Sequence, residues 1–498
     1  DADAHQTLKA IGMTRGQLWT AVMIRTGAIA LVATAIAVAG AVAASAAFPF
    51  GRGRLAEPTL GIAFDPVILL TGAGIIVVML LLLAAGPAWR AAKVHSVDRN
   101  AGIELTGRGR LSDAFALLGA SPAAVIGVRM ATQPGQRRHA VPVRAAIVGA
   151  GCSLAALTLA FSFGAGLDRL FTTPHLYGWN WDAIYGNPYG DDIADQAPVL
   201  ATRPEVNGFS TVAFTEVEVN GRRTAAVAFD PIKGDLVPPV VEGRAPRQAD
   251  EIVLGKTDLA ASGRRIGQTV TVAVGDERRQ MRIVGRGVLP AIGRSEVGGL
   301  GDGVLLSAAG LGELAPDIPS NLLVVRFAAG TEPRARLATV RDALGGANVN
   351  ATAEQLPVEL ADYDRIDRTP MVLAALLAVI ATATLAHALV ATVSRRRREL
   401  AILKTLGFVQ GQVRSTVAWQ ATTMVTVALV AGLPIGLIAG RWVWRVFAEG
   451  LGTVSDPVTP WTALALTIAA AVLVTNFIAA IPGRRAARTQ PAAVLRSE

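Results

Sequence analysis

The chain alternates between long uncharged stretches and segments that mix polar and apolar residues. Six stretches contain no Asp, Glu, Lys or Arg, and the shortest of them has 21 residues. They are Thr26–Phe50, Pro66–Gly86, Ala145–Leu167, Thr369–Ser394, Ser415–Gly440 and Pro457–Gly483. A helix of about 20 apolar residues crosses the hydrocarbon core of a bilayer. The pattern therefore predicts six membrane-spanning helices, because six such stretches are not typical of a soluble core.

Between the third and fourth stretches lies a long segment, Asp168–Arg368, with the periodicity of β-strands. Apolar and polar residues alternate along Val217–Phe229 on both sides of Asn220-Gly221, a favoured two-residue hairpin turn. A second hairpin is predicted from Gln268 to Gly285, with its turn at Gly275-Asp276, and Val340–Leu344 and Glu354–Ile366 are helical or mixed in pattern. The predicted fold class is an α-helical membrane protein with one large, mostly β, α+β domain.

Five aromatic residues follow the third stretch closely. They are Tyr177, Trp179, Trp181, Tyr185 and Tyr189. Trp and Tyr are enriched at membrane–water interfaces, but they also fill domain cores. The sequence leaves both interpretations open.

The charges are distributed unevenly between this segment and the rest of the chain. Asp168–Arg368 has 27 acidic and 21 basic residues, a net charge of −6, whereas the remainder has 26 basic and 11 acidic residues, a net charge of +15. The basic residues concentrate in the loops Ala88–Arg144 and Arg395–Arg414 and in the tail after Gly483. Since Lys and Arg in short loops mark the cytoplasmic side, all three segments are predicted to be cytoplasmic and Asp168–Arg368 extracytoplasmic. The basic charge flanks the membrane, which argues against nucleic-acid binding.

The two ends of the chain carry the same unit, 395 residues apart. Leu8–Gln17 aligns with Leu403–Gln412, with identical Leu, Lys, two Gly and Gln. At the same offset Pro87–Ala92 aligns with Pro482–Ala487, so that each copy has an amphipathic helix, two spans and a basic exit. The second copy is also preceded by Thr369–Ser394, the β segment and Ala145–Leu167. By analogy, we expect equivalent elements of the first copy to precede Asp1 in a longer chain.

The sequence resembles the FtsX-like permeases of ABC transporters, of the MacB and lipoprotein-releasing type, and in particular the two-copy permeases of high-GC bacteria. The order of spans around a large external domain carries the resemblance. So do Arg395–Gly407, the family's signature loop after the second span, and the exit Pro482–Arg488. Glu242-Gly-Arg244, Asp250–Gly255 and Gly267–Val270 are similar to a recurrent pattern of the external domain.

The resemblance implies a permease that does not itself hydrolyse ATP. Separate ATPase subunits, two for a two-copy chain, would dock on the cytoplasmic loops and move the external domain. The docking residues implied are Arg395, Arg396, Arg397, Arg398, Glu399, Lys404 and Gly407, with Lys9 and Gly12 in the first copy. The implied cargo is a lipid, lipoprotein, peptide or drug, and the other partners are the lipid bilayer and an extracytoplasmic protein. No catalytic residue, cofactor or metal site is predicted.

The resulting division has five parts. Residues 1–93 end the first permease unit, 94–143 are a basic linker, 144–167 open the second unit, 168–368 form the external domain, and 369–498 hold three spans and the tail. Two alternatives to transport by an ABC permease remain open. One is a mechanical regulator of an external cell-wall enzyme, and the other is a secondary carrier, against which the uncharged spans argue.

Single residues add little chemistry to this interpretation. His387 and Asn476 lie inside spans, where a polar side chain marks either a transport path or an interhelical hydrogen bond. Gly255-Lys256-Thr257 lacks the first glycine of a phosphate-binding loop, because position 250 is Asp. The only cysteine, Cys152, excludes an intramolecular disulfide.

Overall fold

The computed structural model describes residues 13–45, 66–93, 110–132, 143–292, 299–328, 333–346, 349–353, 356–357, 360, 369–395 and 397–488. The chain divides into two compact units. The helical unit comprises residues 1–153, 378–431 and 467–498, and the domain unit comprises 154–377 and 432–466.

Helices form in every predicted uncharged stretch. They are α1 (Arg15–Ser45), α2 (Pro66–Lys93), α5 (Val143–Thr172), α10 (Thr369–Arg395), α12 (Gln410–Leu451) and α13 (Trp461–Arg488). Five of them are long and apolar enough to cross a membrane, and α2 contributes a shorter apolar stretch, Pro66–Leu82, within the described residues. Three further helices, α3 (Arg110–Leu117), α4 (Pro122–Thr132) and α11 (Arg397–Thr405), connect them. The chain is therefore a multi-pass membrane protein.

The helices of the two aligned copies begin at equivalent residues. Gln410 begins α12 and Arg15 begins α1, 395 residues earlier, and Trp461 and Pro66 begin α13 and α2 at the same offset. The first turns are also capped alike. The Gln17 side chain accepts a hydrogen bond from the Thr14 amide at 2.9 Å, and Gln412 accepts one from the Val409 amide at 3.0 Å. Each glutamine thus satisfies an amide that the helix start leaves unpaired.

One interhelical contact also recurs at equivalent positions. In the second copy Asn476 of α13 donates to the Thr422 hydroxyl of α12 at 3.0 Å. In the first copy the equivalent positions are Gly27 and Leu81, and a Cβ built on Gly27 would lie 3.8 Å from the Leu81 side chain. For Asn476, the interhelical hydrogen bond predicted as one of two alternatives is confirmed. His387 is exposed on α10.

The described strands form one mixed ten-stranded sheet, which we call the β domain (residues 174–353). The strands are β1 (Ala183–Gly186), β2 (Val206–Val219), β3 (Arg222–Lys233), β4 (Val240–Gly243), β5 (Glu251–Leu254), β6 (Thr269–Val274), β7 (Glu277–Gly287), β8 (Val304–Ser307), β9 (Leu322–Phe327) and β10 (Ala351–Ala353). Their order is β10-β1-β9-β2-β3-β8-β5-β7-β4, and β6 pairs with both β2 and β7. Because β6 connects β7 back to β2, six of these strands close into a small barrel.

Both predicted hairpins are confirmed. Strands β2 and β3 pair antiparallel around Asn220 and Gly221, whose φ angles of 51° and 84° are those of a turn that matches the strand twist. Strands β6 and β7 pair around Gly275-Asp276. Helix α9 (Pro333–Ala343) covers most of the helical pattern predicted near Val340, whereas most of Glu354–Ile366 lies outside the described residues.

Apolar side chains inside the barrel form one core, built from alternate residues of β2, β3, β5, β6, β7 and β8 and from α8 (Ala308–Leu314). A second core lies where β1, β2 and β9 pack against α6 (Ala197–Ala201) and α9. Tyr185 belongs to the second core, whereas Tyr177, Trp179 and Trp181 belong to a third core of the domain unit. Tyr177, Trp179, Trp181 and Tyr185 are buried, and Tyr189 is half exposed. Four of the five aromatic residues are therefore core residues of the domain unit.

Candidate functional site

Helix α11 is amphipathic and short, and it lies just before α12. Leu400 and Ala401 are buried, and Leu403 packs against the same core, which α10, α12 and α13 share. Three apolar residues on or just beyond this helix are instead exposed: Ile402 at 44%, Leu406 at 74% and Val409 at 63%. One face of α11 thus holds the helix in place, and another presents apolar side chains.

The turn after α11 has a defined geometry. The Phe408 amide donates to the Leu403 carbonyl at 3.1 Å, and the Gly407 amide donates to the Lys404 carbonyl at 3.2 Å. This pair of bonds is a Schellman motif, which requires the left-handed backbone that Gly407 supplies with φ 98°. The Lys404 ammonium donates to the Ala487 carbonyl near the end of α13 at 2.9 Å. Lys404 and Gly407 therefore fix the position of α11.

Helix α12 is much longer than its uncharged stretch. Its 42 residues extend about 63 Å, and the last eleven, Arg441–Leu451, follow the predicted end of the span at Gly440. Within them Trp444 and Ala448 join the core that contains Trp179 and Trp181. Trp444 stacks edge-on against Phe163 of α5, with ring centroids 5.8 Å apart. The end of α12 is thus part of the core of the domain unit.

The end of α12 and the segment after it, residues 441–456, contact α5 and the β domain at a site that we call the junction. Glycines make close contacts there. A Cβ on Gly166 of α5 would lie 2.6 Å from the Trp444 ring, so only glycine lets the indole pack there. Beyond α12, Gly452 (φ 75°) meets Gly301 of the β domain, and a Cβ on Gly452 would lie 2.5 Å from the Gly301 Cα. The Val454 amide also donates to the Leu176 carbonyl at 2.8 Å. The segment after α12 is therefore joined to the domain at several points.

A salt bridge and a buried carboxylate complete the junction. Arg169 of α5 pairs with Asp456 at 2.7 Å. Asp258 of α7 (Lys256–Ser262) accepts hydrogen bonds from the Thr224 hydroxyl at 2.7 Å and from the Gly303 amide at 2.6 Å. Burial raises the pKa of Asp258. Because Asp258 holds Gly303, it also stabilises the loop that places Gly301 against Gly452.

Comparison with known proteins identifies this architecture. A family model described as the C-terminal domain of FtsX-like permeases matches the chain twice, at residues 5–95 and 371–491. The two matched regions contain the two aligned copies, including α11 and α12.

The chain carries two FtsX-like permease C-terminal domains. It is thus a membrane component of the ABC transporter type, and permeases of this family work with ABC ATPases in general. The resemblance seen in the sequence is confirmed.

Two solved structures are similar to parts of the permease. One is the periplasmic region of MacB from Actinobacillus actinomycetemcomitans, at 10% identity over 37% of this chain and 94% of that one, with a TM-score of 0.25. The other is a domain of a protein described as a permease from Porphyromonas gingivalis, at 14% identity over 39% of this chain and 98% of that one, with a TM-score of 0.23. Neither likeness is strong enough to decide fold or function. No curated protein matches the chain significantly.

The predicted docking residues of the permease are found in and around α11. Glu399 is half-buried in the first turn, and Lys404 and Gly407 fix the C-terminal end as described above. Arg396, Lys9 and Gly12 lie outside the described residues, as do the side chains of Arg395, Arg397 and Arg398. Sequence reasoning missed Ile402, Leu406 and Val409, although apolar residues at such spacing on a basic helix were a visible signal.

Two residues of the recurrent pattern of the external domain, Arg244 and Glu251, form a hydrogen-bonded ion pair. The Glu251 carboxylate is buried and accepts hydrogen bonds from the Arg244 guanidinium, from Arg282 at 2.8 Å and from the Arg247 amide at 2.9 Å. The hydrogen bond from Arg244, foremost among these contacts, holds the pKa of Glu251 well below its usual range. Glu251 connects β5, β7 and the segment after β4, so the pattern maintains the barrel.

Proposed function

We propose that the chain is the permease subunit of an ABC transporter in which α11 is the docking helix for a separate ATPase subunit. The observation that carries the proposal is the two-sided surface of α11. Its buried face anchors it to α12 and α13, while Ile402, Leu406 and Val409 form an exposed apolar face. Exposed apolar clusters with a polar rim are typical of protein interfaces. The sequence adds four consecutive arginines, Arg395 to Arg398, just before Glu399.

The proposal includes the topology predicted from the sequence. Six spans, with α2 among them, place both ends of this chain and α11 in the cytoplasm and residues 168–368 outside. The positive charge of the loops and tail supports this orientation. The division into parts at residues 93, 143, 167 and 368 belongs to the same proposal.

We also propose that the two copies arose by duplication, so that one permease polypeptide serves two ATPase subunits. The common offset of the helix starts, the equivalent glutamine caps and the two family matches support the duplication. In the first copy the docking helix would contain Lys9 and Gly12.

Movement of the external domain is the proposed output. Helix α12 begins at the turn that Gly407 makes after α11, and its other end contributes Trp444 and Ala448 to the core of the domain unit. A helix with packed ends transmits displacement better than a loop does, because its backbone hydrogen bonds keep its length fixed. Export or extraction of a lipid, lipoprotein, peptide or drug would use this movement. Activation of an external cell-wall enzyme would use the same movement without transport.

Co-purification tests the docking proposal. The affinity-tagged permease, expressed with its ATPase subunit, should retain that subunit in detergent, and the double variant Ile402→Asp and Leu406→Asp should lose it. Leu117→Asp is the matched control, because Leu117 is an exposed leucine on another connecting helix. Retention of the ATPase by the double variant, or transport by the permease alone in ion-loaded vesicles, would refute the proposal.

A further inference from the structure

An apolar groove runs along the membrane-spanning part of the first copy, between α1 and α2. Its volume is about 950 Å³, and its walls are almost entirely apolar. Small residues form it: Ala35, Ala39 and Ala43 on α1, and Ala73 and Gly74 on α2. From Leu31 to Ala43 the groove extends about 18 Å along α1. The hydrocarbon core of a bilayer is about 30 Å thick, and one leaflet is half of it. The groove is therefore slightly longer than the hydrocarbon depth of one leaflet.

The second copy carries larger side chains at the equivalent positions. Nine of the twelve residues that line the groove have a larger counterpart 395 residues later, and two have a smaller one. Ala35 corresponds to Val430, Ala43 to Ile438 and Ala73 to Ile468. The groove is therefore not a general property of this helix pair. It comes from small residues that the first copy has and the second copy lacks.

The groove lies on a different side of α1 from the positions that correspond to the α5 contacts of α12 in the second copy. In the second copy, α5 approaches α12 at Ala428, Gly436 and Gly440, where a Cβ on Gly436 would lie 2.5 Å from the Ala155 carbonyl oxygen. The equivalent positions of α1 are 33, 41 and 45, and none of them lines the groove. Val430, Ile438 and Leu473, which correspond to groove positions, are strongly exposed. In a membrane protein such a side faces lipid.

Thr34 is the polar residue among those that line the groove. It is 94% buried, since its exposed fraction is 6%. Its hydroxyl has no hydrogen-bond partner within the part of the chain that the structure describes. Because this hydroxyl is itself shielded from the surface, the accessible wall of the groove is apolar, which suits a hydrocarbon chain.

We propose that this groove binds one acyl chain of a membrane lipid, and that the second copy has no equivalent site. Within a bilayer, association depends on close packing rather than on the hydrophobic effect, because lipid tails are themselves apolar. A groove lined by Ala and Gly surrounds a chain on more sides than a smooth helix surface can. The site thus makes the two halves of the permease unequal toward lipid, independently of ATPase docking.

Photocrosslinking tests the proposal on the full chain. The permease is reconstituted in vesicles that contain a phospholipid with a diazirine in its acyl chain, irradiated and mapped by mass spectrometry. We expect adducts on residues 31–43 and 70–78 to exceed those on 426–438 and 465–473 by about fivefold. That factor corresponds to about six additional carbon–carbon contacts. Equal adduct yields in the two copies would overturn the proposal.

Exchange of residues between the copies provides the variants. Ala35→Val, Ala43→Ile and Ala73→Ile together should lower the first-copy adducts to the second-copy level. Filling the opposite side of α1 with Ala33→Val and Ala41→Ile should leave them unchanged. The reverse exchange, Val430→Ala, Ile438→Ala and Ile468→Ala, should raise the second-copy adducts, and it tests the site even if the filled variant fails to fold.

Two results contradict the groove as a lipid site. One is the absence of any increase in second-copy adducts after the reverse exchange. The other concerns Ala39→Cys in a Cys152→Ser background. An efficient disulfide between two chains at this position would show that a second copy of the permease, and not lipid, occupies the groove.

Discussion

Trp444 has the largest fully buried side chain among the described residues, and it packs the last turns of α12 into the core of the domain unit. Its side chain is 1% exposed, stacks on Phe163 and Phe447, and packs directly on Gly166. A buried Trp removes about 200 Å² from water, worth about 5 kcal/mol at 25 cal/mol per Å². Measured Trp→Ala changes in cores cost about 3–5 kcal/mol. Trp444→Ala should therefore destabilise the domain unit by about 4 kcal/mol.

Trp442 provides a control within the same helix turn. It is 64% exposed, so Trp442→Ala should change stability by no more than about 0.5 kcal/mol. Thermal unfolding of both variants in the same detergent, followed by near-UV circular dichroism, measures the difference. In complex with its ATPase, the Trp444 variant should also lose coupling between ATP hydrolysis and domain movement. Equal unfolding temperatures for the two variants would refute the role of this packing.

The remaining predictions concern the barrel, the junction and the spans. Glu251→Gln should lower the unfolding temperature, and the difference from the unmodified protein should be constant above about pH 5 and shrink below the ordinary Glu pKa of about 4.3. The reason is that the lowered pKa of Glu251 in the folded state gives stability that acidification removes. A gap that is unchanged at pH 3 would contradict this. Gly452→Val should cost about 2 kcal/mol from its positive φ and its contact with Gly301; Gly450→Val, which meets nothing within 4 Å, is the control. Asn476→Leu, the first-copy residue, should cost about 0.6 kcal/mol and leave transport intact; lost transport would instead favour a transport path.

The sequence predicts the long apolar helices and the hairpins well because their signals are local. A charge-free stretch of 21 or more residues has few alternatives to a membrane helix. Asn220-Gly221 requires the positive φ angles that few other dipeptides accept. The amphipathic helix that contains Leu400 and Leu403 is visible for the same reason, since its periodicity lies within a few residues.

Contacts between distant segments are not visible in this way. The prediction ended the fifth span at Gly440, but the helix continues to Leu451 because Trp444 and Ala448 pack in a core with residues such as Trp179. The spacing of Trp444, Phe447, Ala448 and Leu451 was the only local sign of that continuation. Closure of the barrel by β6 and the burial of Glu251 depend likewise on pairings across 30 residues or more.

The linker between the copies shows a related limit. Its charge predicted a basic cytoplasmic segment, but part of it folds as α3 and α4. A Cβ on Gly127 of α4 would lie 2.6 Å from the Thr416 carbonyl oxygen of α12, so this glycine permits a close helix contact. Phe115 of α3 also meets Trp419 edge-on, with ring centroids 5.8 Å apart. Because basic residues dominate the composition of the linker, its sequence does not indicate that these few residues pack against α12.

A distance measurement tests whether ATP hydrolysis by the partner is coupled to movement of the external domain. Nitroxide labels at Thr202→Cys in the β domain and Thr405→Cys on α11, in a Cys152→Ser background, report the spacing between the two regions; both native side chains are exposed. With the permease bound to its ATPase in lipid nanodiscs, double electron–electron resonance is recorded without nucleotide and with the ATPase trapped by vanadate. We expect a shifted distance distribution on trapping, and no shift in the Trp444→Ala variant. An identical distribution in the two states of the unmodified complex would show that ATP hydrolysis does not move the external domain relative to α11.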